Sequence, residues 1–313
     1  MPRPARPDEV TILLALYNGA HSLADQLQSY CDQNHSDWRL IASDDGSTDT
    51  GPQMVRDFAT ASGGRPVSVI DGPCRGFGQN FLHLIRAAGP DTPYAALSDQ
   101  DDVWLPDKIE RGLEHLARVP PDVPALYGSR TWVCDRDLRR LCLSPLSRRP
   151  PDFRNALMQC IAGGNTMMLN RAALDLAQSA ADEARQIVSH DWWLYQIVSG
   201  VGGQVIYDAQ PTVLYRQHGG NLVGANVDFR SRMRRVRMLL RGRLRDWNAI
   251  NLRALDASAH RLTEENQHLL QGFARLRAAP AGARFAGMRR LGLYRQSRPS
   301  QAVLLLAAPL GLI

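Results

Sequence analysis

A short apolar run that ends in three carboxylates most limits how this chain can fold. The run at 94–97 is typical of a buried strand, and Asp99, Asp101 and Asp102 follow closely. Apolar residues at helical spacing then predict a helix over 108–119. The acids are therefore expected in a turn at the carboxyl end of a strand, where open α/β sheets bind their ligands.

Three acids so close together repel one another unless a cation neutralises them or water solvates them. Hard oxygen ligands at this density suit Mg²⁺ or Mn²⁺, which share the rest of their coordination shell with water and substrate phosphates. The alternative is an acidic surface loop in which Asp102 or Asp107 caps the next helix. The apolar strand before the acids and Trp104 after them favour a ligand site.

The first third of the chain alternates between strand and helix patterns. Strands are predicted at 10–16, 38–43 and 66–70, and helices at 21–33, 50–61 and 79–88. This alternation predicts βαβ units and a parallel sheet with right-handed crossovers.

The second half has a different pattern. It predicts strands at 125–133, 166–169, 204–207 and 212–215, helices from 171 and over 189–199, and a loop over 138–153. From residue 228 onward the chain reads as helical and strongly basic.

The composition fits a globular protein of one large or two modest domains. The 313 residues carry a net charge of +6, and the positive excess is arginine, because Lys108 is the only lysine. Five cysteines without a CxxC pair predict reduced thiols in a cytoplasm. No apolar run approaches the roughly 20 residues of a spanning helix.

A second acidic turn, Asp44-Asp45-Gly46, follows the second predicted strand. A carboxylate there could accept a hydrogen bond from N3–H of a pyrimidine, while the glycine lets backbone approach the ligand. The alternative is a capped turn with Ser47 or Thr48 at the helix start. Two such turns in one parallel sheet favour a shared nucleotide site. Residues 72–78 lack the dinucleotide fingerprint, which disfavours a Rossmann dehydrogenase.

His190 and Asp191 precede two tryptophans at a predicted helix start. A carboxylate there could act as a general base or could simply cap the helix. The tryptophans could stack on sugar rings or fill the core. His218 could ligate a metal or contact a phosphate, or it could be structural.

Taken in order, the motifs YNG, SDDGSTD, RGFGQNF, LSDQDDVW, GGNTMMLNR, HDWW and YRQHGGN resemble those of glycosyltransferase family 2. Bacterial rhamnosyltransferase-like members are the most similar. The resemblance implies a GT-A fold, an α/β architecture with a mostly parallel central sheet flanked by helices. It also implies a catalytic domain over 1–225, with a nucleotide-binding half at about 10–120 and an acceptor half at about 121–225. A basic helical region would then occupy 226–313.

The resemblance also assigns residues. Asp191 matches the catalytic base, although the usual Glu-Asp pair is His-Asp here. Donor contacts would come from Leu16, Tyr17, Asn18, Asp44, Asp45, Arg75, Asn80, Asp99, Gln100 and Arg216. Acceptor contacts would come from Gly163, Gly164, Asn165, His190, Trp192 and Trp193. Mg²⁺ or Mn²⁺ would be held by Asp101 and His218, with Asp99 or Asp102 as alternatives.

The activity implied is inverting, metal-dependent transfer of a single sugar to a glycan or lipid-linked acceptor in bacterial surface polysaccharide synthesis. The processive Gln-x-x-Arg-Trp motif is missing, which favours one transfer over polymerisation. The preferred donor is dTDP-rhamnose, with UDP-sugars as the alternative. Two other classes compete: a nucleotidyltransferase, whose Gly- and Arg/Lys-rich signature is missing near the first strand, and a non-catalytic membrane-binding module.

Arginines interleave with apolar residues over 230–245. A helix with this pattern could lie on anionic lipid or pack its apolar stripe on the domain. Nucleic-acid binding is not expected, because no recognised binding module accompanies the charge. The apolar tail at 291–313 could touch a membrane or an oligomer partner. We therefore expect a cytoplasmic protein at the inner face of the plasma membrane.

Overall fold

The computed structural model describes residues 6–217 and 241–313. Within these ranges, strand and helix alternate through the first half as predicted. The strands are β1 (Val10–Leu16), β2 (Trp38–Asp44), β3 (Val67–Asp71), β4 (Tyr94–Ser98) and β5 (Val103–Trp104). The helices are α1 (Ala20–Cys31), α2 (Gly51–Ala61), α3 (Phe77–Ala87) and α4 (Lys108–Leu116).

The second half adds four strands and three helices before residue 217. They are β6 (Ala125–Cys134), β7 (Arg140–Leu143), α5 (Phe153–Ala156), β8 (Met168–Asn170), α6 (Arg171–Ala181), α7 (His190–Gly200) and β9 (Gln204–Arg216). A 3-10 turn, Gly164–Thr166, precedes β8. All nine strands form one sheet in the order β3-β2-β1-β4-β8-β6-β9-β5, with β7 paired to β6.

The sheet is parallel where the sequence predicted βαβ units and mixed beyond that point. Pairs β2–β3, β1–β2 and β1–β4 are parallel, whereas β8 runs antiparallel to both β4 and β6. Strand β1 separates two apolar layers, since Ile12 and Leu14 pack on one face and Leu13 on the other. Burial on both faces explains why its sequence is continuously apolar.

Residues 103–104, between the acidic turn and α4, form β5 on the sheet edge. Two predictions about the second half were wrong. The predicted loop over 138–153 contains β7. The two short strands predicted at 204–207 and 212–215 are one strand, β9. Its register against β6 shifts around Arg130, which accommodates Pro211 without ending the pairing.

The described carboxyl-terminal part is helical, as predicted, and packs on the same apolar layer as α6 and α7. Its helices are α8 (Arg243–Ala257), α9 (Glu264–Ala278), α10 (Ala281–Arg290) and α11 (Arg298–Ala307). Arg261 joins them to the end of α6 through an ion pair with Glu183 at 2.7 Å. The predicted boundary at 225 and the arginines at 230–237 lie outside the described residues. None of the helices in the described ranges is both long and apolar enough to cross a membrane.

Candidate active site

The carboxyl ends of β4, β1, β2 and β3 lie side by side at one edge of the sheet. Leu16 is in register with Asp44, Asp44 with Asp71, and Leu14 with Ser98. The turns that follow these strands therefore meet, as the sequence predicted for the two acidic turns. We call this edge the strand-end rim.

Gln100 ties the acidic turn after β4 to the turn after β1. Its Oε1 accepts a hydrogen bond from the Tyr17 N–H at 2.8 Å, and its Nε2 donates to the Tyr17 carbonyl at 2.8 Å. Gly19 leaves the room for this amide, because a Cβ there would lie 2.2 Å from Gln100 Cδ. The ring of Tyr17 stays 58% exposed at the rim.

Asn18 makes the next link along the rim. It adopts a left-handed backbone with φ of 50°, and its N–H donates to Ser47 Oγ at 3.0 Å. Its side-chain oxygen accepts from the Thr48 N–H at 2.8 Å. The alternative that Ser47 or Thr48 caps α2 is wrong, because the N-cap position is Thr50.

The two acids after β2 have different surroundings. Both oxygens of Asp45 accept backbone N–H groups, from Arg75 at 3.2 Å and Gly76 at 2.7 Å, and the side chain is buried. Asp44 is half-buried and accepts from the Ser47 N–H at 3.0 Å. Asp45 thus holds the loop before α3, while Asp44 lies closer to solvent.

Asn80 and Leu16 were both expected to contact the donor, and the structure places their side chains below the rim. Asn80 is buried and exchanges hydrogen bonds with Ser43, its Nδ2 reaching the Ser43 carbonyl at 2.9 Å. The Leu16 side chain packs in the core. Both residues support the rim from beneath, whereas Arg75 is exposed on it.

Asp102 is the buried member of the acidic turn. One carboxylate oxygen accepts from Asn165 Nδ2 at 2.5 Å, and the other accepts from the Arg216 N–H at 3.1 Å. Asp107 occupies the N-cap position of α4, as one alternative predicted, but its side chain makes no capping hydrogen bond, and Asp102 is not at the cap. Asn165, expected to contact the acceptor, instead holds Asp102.

The Arg216 side chain fastens the acidic turn to its neighbours. It donates to the carbonyl of Asp101 at 3.0 Å, to that of Arg136 at 2.7 Å and to the carboxylate of Asp25 at 2.6 Å. The residue is 9% exposed. These contacts give Arg216 a role in positioning the turn, and its contact with the donor stays a prediction.

Asp191, in the first turn of α7, comes close to the acidic turn. Burial, followed by the charges of Asp101 and Asp191, raises the pKa of Asp99 to about 8. Acids that oppose one another's ionisation in this way fit a divalent cation, which would relieve the repulsion. Within residues 6–217 and 241–313, no three acidic, His or Cys side chains could hold a metal by themselves. The ligand set would need water or phosphate oxygens, and His218 lies outside the described residues.

His190 is a buried residue next to Asp191 at the start of α7. It stacks on Phe81 with ring centroids 3.6 Å apart, and neither ring nitrogen has a hydrogen-bond partner within the described chain. Burial lowers its pKa to about 4, so the imidazole is neutral at pH 7. Gly164 makes room for the ring, because a Cβ there would lie 2.0 Å from His190 Nε2.

The tryptophans after Asp191 were expected to form walls of the acceptor site, and both are buried. Trp193 lies in the core, 1% exposed. Trp192 donates its indole N–H to the Ala156 carbonyl at 2.6 Å and packs edge-on against Trp247 of α8. Of the predicted acceptor residues, Gly163 alone is exposed in the described structure.

Two residues beside the site were not predicted from the sequence. Cys160 contacts Asp191, and burial followed by the charge of Asp191 raises the pKa of its thiol. Lys108 is fully buried behind Asp102. The spacing of Cys160 gave no signal, whereas the uniqueness of Lys108 among so many arginines could have given one.

Proteins of known sequence resemble this chain along most of its length. A dTDP-rhamnosyl transferase, RfbG, of Shigella flexneri is 28% identical over 71% of this chain and 78% of its own. A UDP-Glc:alpha-D-GlcNAc-diphosphoundecaprenol beta-1,3-glucosyltransferase, WfgD, of Escherichia coli is 23% identical over 53% of this chain and 62% of its own.

Solved structures show the same fold at low identity. The S. aureus TarS 1-349 complex with UDP-GlcNAc superposes with a TM-score of 0.56 at 11% identity, covering 97% of this chain and 90% of that one. The complex with UDP gives a TM-score of 0.55 at 12% identity, covering 86% of this chain and 71% of that one. These matches establish a GT-A fold.

The model of the family described as "Glycosyl transferase family 2" matches residues 11–173, just over half of the chain. The matched region contains the strand-end rim and the acidic turn. The chain therefore belongs to glycosyl transferase family 2, and it is a glycosyltransferase.

Proposed function

We propose that this glycosyltransferase moves one sugar, with inversion, from a nucleotide-diphospho sugar to a hydroxyl of a glycan or lipid-linked acceptor in bacterial surface polysaccharide synthesis. The observation that carries the proposal is that Asp101 and Asp191 both lie close enough to the buried Asp99 for their charges to raise its pKa. A base for the acceptor and acids for a cation-bound diphosphate are both needed for such a transfer, and they are adjacent here.

Asp44 is the proposed contact for the nucleobase of the donor. Both oxygens of Asp45 already accept backbone N–H groups, whereas Asp44 is half-buried at the rim near the exposed Tyr17 ring. A carboxylate that accepts from N3–H fits thymine and uracil alike. The name of the Shigella relative supports dTDP-rhamnose as the preferred donor, with UDP-sugars next.

Asp101 and Asp99 are the proposed ligands of Mg²⁺ or Mn²⁺. A bound ion would offset the charge that develops on the departing diphosphate. Arg216 donates to the carbonyl of Asp101, so the backbone that carries this carboxylate is fixed before donor binds. Asp102 is not proposed as a ligand, because both of its oxygens accept hydrogen bonds inside the protein.

Asp191 is the proposed general base. Its half-buried carboxylate would take the proton of the acceptor hydroxyl as that oxygen bonds to the anomeric carbon. The bond from that carbon to the diphosphate oxygen breaks on the opposite face, so the configuration inverts.

A corner of the carboxyl-terminal helices is the proposed membrane contact. Leu306 and Leu310, at α11 and just after it, are 72% and 69% exposed, and Phe285 of α10 is 42% exposed. Arg284 of α10 donates to the Pro309 carbonyl at 3.3 Å, so the two elements adjoin. Exposed Arg289 and Arg290 follow on α10, and apolar side chains beside arginines suit an anionic lipid surface.

Nucleotide binding is the first test of the donor site. Thermal unfolding is followed with Mg²⁺ or Mn²⁺, alone and with dTDP, UDP, GDP or ADP. We expect a metal-dependent rise in Tm with dTDP or UDP that Asp101→Asn abolishes and the matched Asp107→Asn retains. A rise with GDP or ADP only would refute the pyrimidine donor.

Two further variants test the other parts of the proposal. Asp191→Asn should retain the dTDP-dependent rise in Tm and lose sugar transfer by roughly 10²- to 10⁴-fold, whereas retained transfer would remove Asp191 as the base. Leu306→Glu with Leu310→Glu should weaken sedimentation with phosphatidylglycerol vesicles. The matched change Leu141→Glu, at a 54% exposed leucine of β7, should not. Equal sedimentation of the two would refute the membrane corner.

A further inference from the structure

Lys108, the only lysine of the chain, is completely buried at the start of α4. Its ammonium lies 4.2 Å from the centroid of the Trp104 ring and 3.4 Å from the Thr166 carbonyl oxygen. Arginine supplies the positive charge everywhere else in this protein. A lysine kept at a single, buried position calls for an explanation in terms of what surrounds it.

Burying an ammonium group is costly unless an opposite charge and hydrogen-bond acceptors compensate. The acid whose charge acts on it is Asp102, which is also completely buried. Burial lowers the pKa of Lys108 to about 7, and the charge of Asp102 opposes that change. Burial, followed by the charges of Asp101 and Asp99, raises the pKa of Asp102. The direct contacts of the ammonium are therefore the Trp104 ring and the Thr166 carbonyl.

Asp102 and Lys108 form hydrogen bonds with neighbouring residues of one 3-10 turn. Asp102 accepts from Asn165 Nδ2, and Lys108 donates to the Thr166 carbonyl. Asp102 also accepts the Arg216 N–H, and Arg216 donates to the carbonyl of Asp101. A connected path therefore runs from the buried ammonium to the backbone of the proposed metal ligand.

We infer that Lys108 is a positioning residue for the acidic turn: it holds the 3-10 turn whose Asn165 binds Asp102, so that the Asp101 carboxylate faces the cation and diphosphate of the donor. Lys108 itself touches neither. The inference rests on the proposed function, since it explains how the proposed metal ligand is held. The competing explanation is that Lys108 only fills space beside Trp104 in the core.

The unique lysine permits a test in the wild-type protein. Isotopic labelling of lysine Nζ and Cε gives one side-chain NMR signal, from Lys108. We expect this signal to move when Mg²⁺ and dTDP are added together and to stay in place with NaCl at equal ionic strength. A signal unmoved at saturating Mg²⁺ and dTDP, with the Tm of the same sample raised, would overturn the inference.

Substitutions separate charge from volume. Lys108→Met keeps the side-chain length, and we expect it to weaken the Mg²⁺ affinity of the dTDP complex by roughly 10- to 100-fold. Lys108→Arg, which keeps the charge, should recover part of that lost affinity. The double variant Lys108→Met/Asp102→Asn should bind Mg²⁺ little more weakly than either single variant does. Wild-type Mg²⁺ affinity in a folded Lys108→Met variant would leave only the space-filling explanation.

The proposed function and the positioning role of Lys108 can be refuted separately. If wild-type protein binds neither dTDP nor UDP with metal, the proposed function falls and the positioning role falls with it. If wild type binds and Lys108→Met binds equally well, the positioning role alone falls. If Lys108→Met does not fold, the NMR titration of the wild-type signal decides by itself.

Discussion

Acid should destabilise this protein in part through one buried histidine. His190 is 4% exposed, stacks on Phe81, and has no hydrogen-bond partner for either ring nitrogen in the described chain. Its pKa is lowered to about 4 from an ordinary 6.5, chiefly because burial disfavours the charged ring. In the unfolded chain the same ring takes up a proton near pH 6.5.

The direction and size of the effect on the free energy of unfolding follow from the difference between the folded and unfolded pKa values of His190. Below pH 6.5 the unfolded state binds a proton that the folded state refuses, so the free energy of unfolding falls by about 1.36 kcal/mol per pH unit. The loss starts near pH 6.5 and is complete near pH 4, where it totals about 3 kcal/mol. Above pH 6.5 the histidine has no such effect.

His190→Gln removes the titrating ring. Urea unfolding at pH 7.5 and pH 4.5, without ligand, should show that this variant loses about 2.5 kcal/mol less stability on acidification than wild type does. His268→Gln, at an exposed position of α9, is the matched control and should follow wild type. Equal losses in wild type and His190→Gln would mean that the ring is hydrated or paired, and the argument from burial would be refuted.

Three further outcomes follow from contacts at the rim. Gly164→Ala should cost about 1–3 kcal/mol of stability in thermal unfolding, because its Cβ would meet the buried His190 ring, while Gly282→Ala, with open space around it, should cost nothing. Exposed Cys74, whose sulfur would lie 3.0 Å from a Cβ at Gly46, should react with iodoacetamide more slowly once dTDP and Mg²⁺ are bound; an unchanged rate would place the base elsewhere. Gln100→Glu should weaken dTDP binding more than Gln100→Ala in calorimetry, because a carboxylate would face the carbonyl to which Nε2 now donates.

The parallel half of the fold could be predicted because its signals are local. The run at 10–16 is apolar on both faces, and the strand found there has those bounds. The predicted strand at 94–97 differs from β4 by the addition of Ser98. The two acidic turns each follow a buried strand. Because the carboxyl ends of parallel strands lie at one edge of a sheet, the sequence predicted that these turns meet.

What the sequence could not supply depends on tertiary contacts. Two strands were predicted at 204–207 and 212–215, but a register shift against β6 carries β9 through Pro211 without a break. The tryptophans of HDWW suit a sugar site and a core equally, and only the packing of α7 between layers buried them. The helix pattern at 108–119 does not predict that Lys108 is buried, because its contacts with the Trp104 ring and the Thr166 carbonyl are tertiary.

The side-chain ties along the strand-end rim bear on how donor preference can change. Gln100 depends on the backbone of Tyr17, Asn18 on Ser47 and Thr48, and Asp45 on the loop before α3. The conformation of each turn thus depends on hydrogen bonds from its neighbour, and a substitution in one turn alters the backbone of the next. A change of nucleotide or sugar would need these turns to be exchanged as a set, so grafting one loop from a relative should yield a weakened enzyme with its original preference.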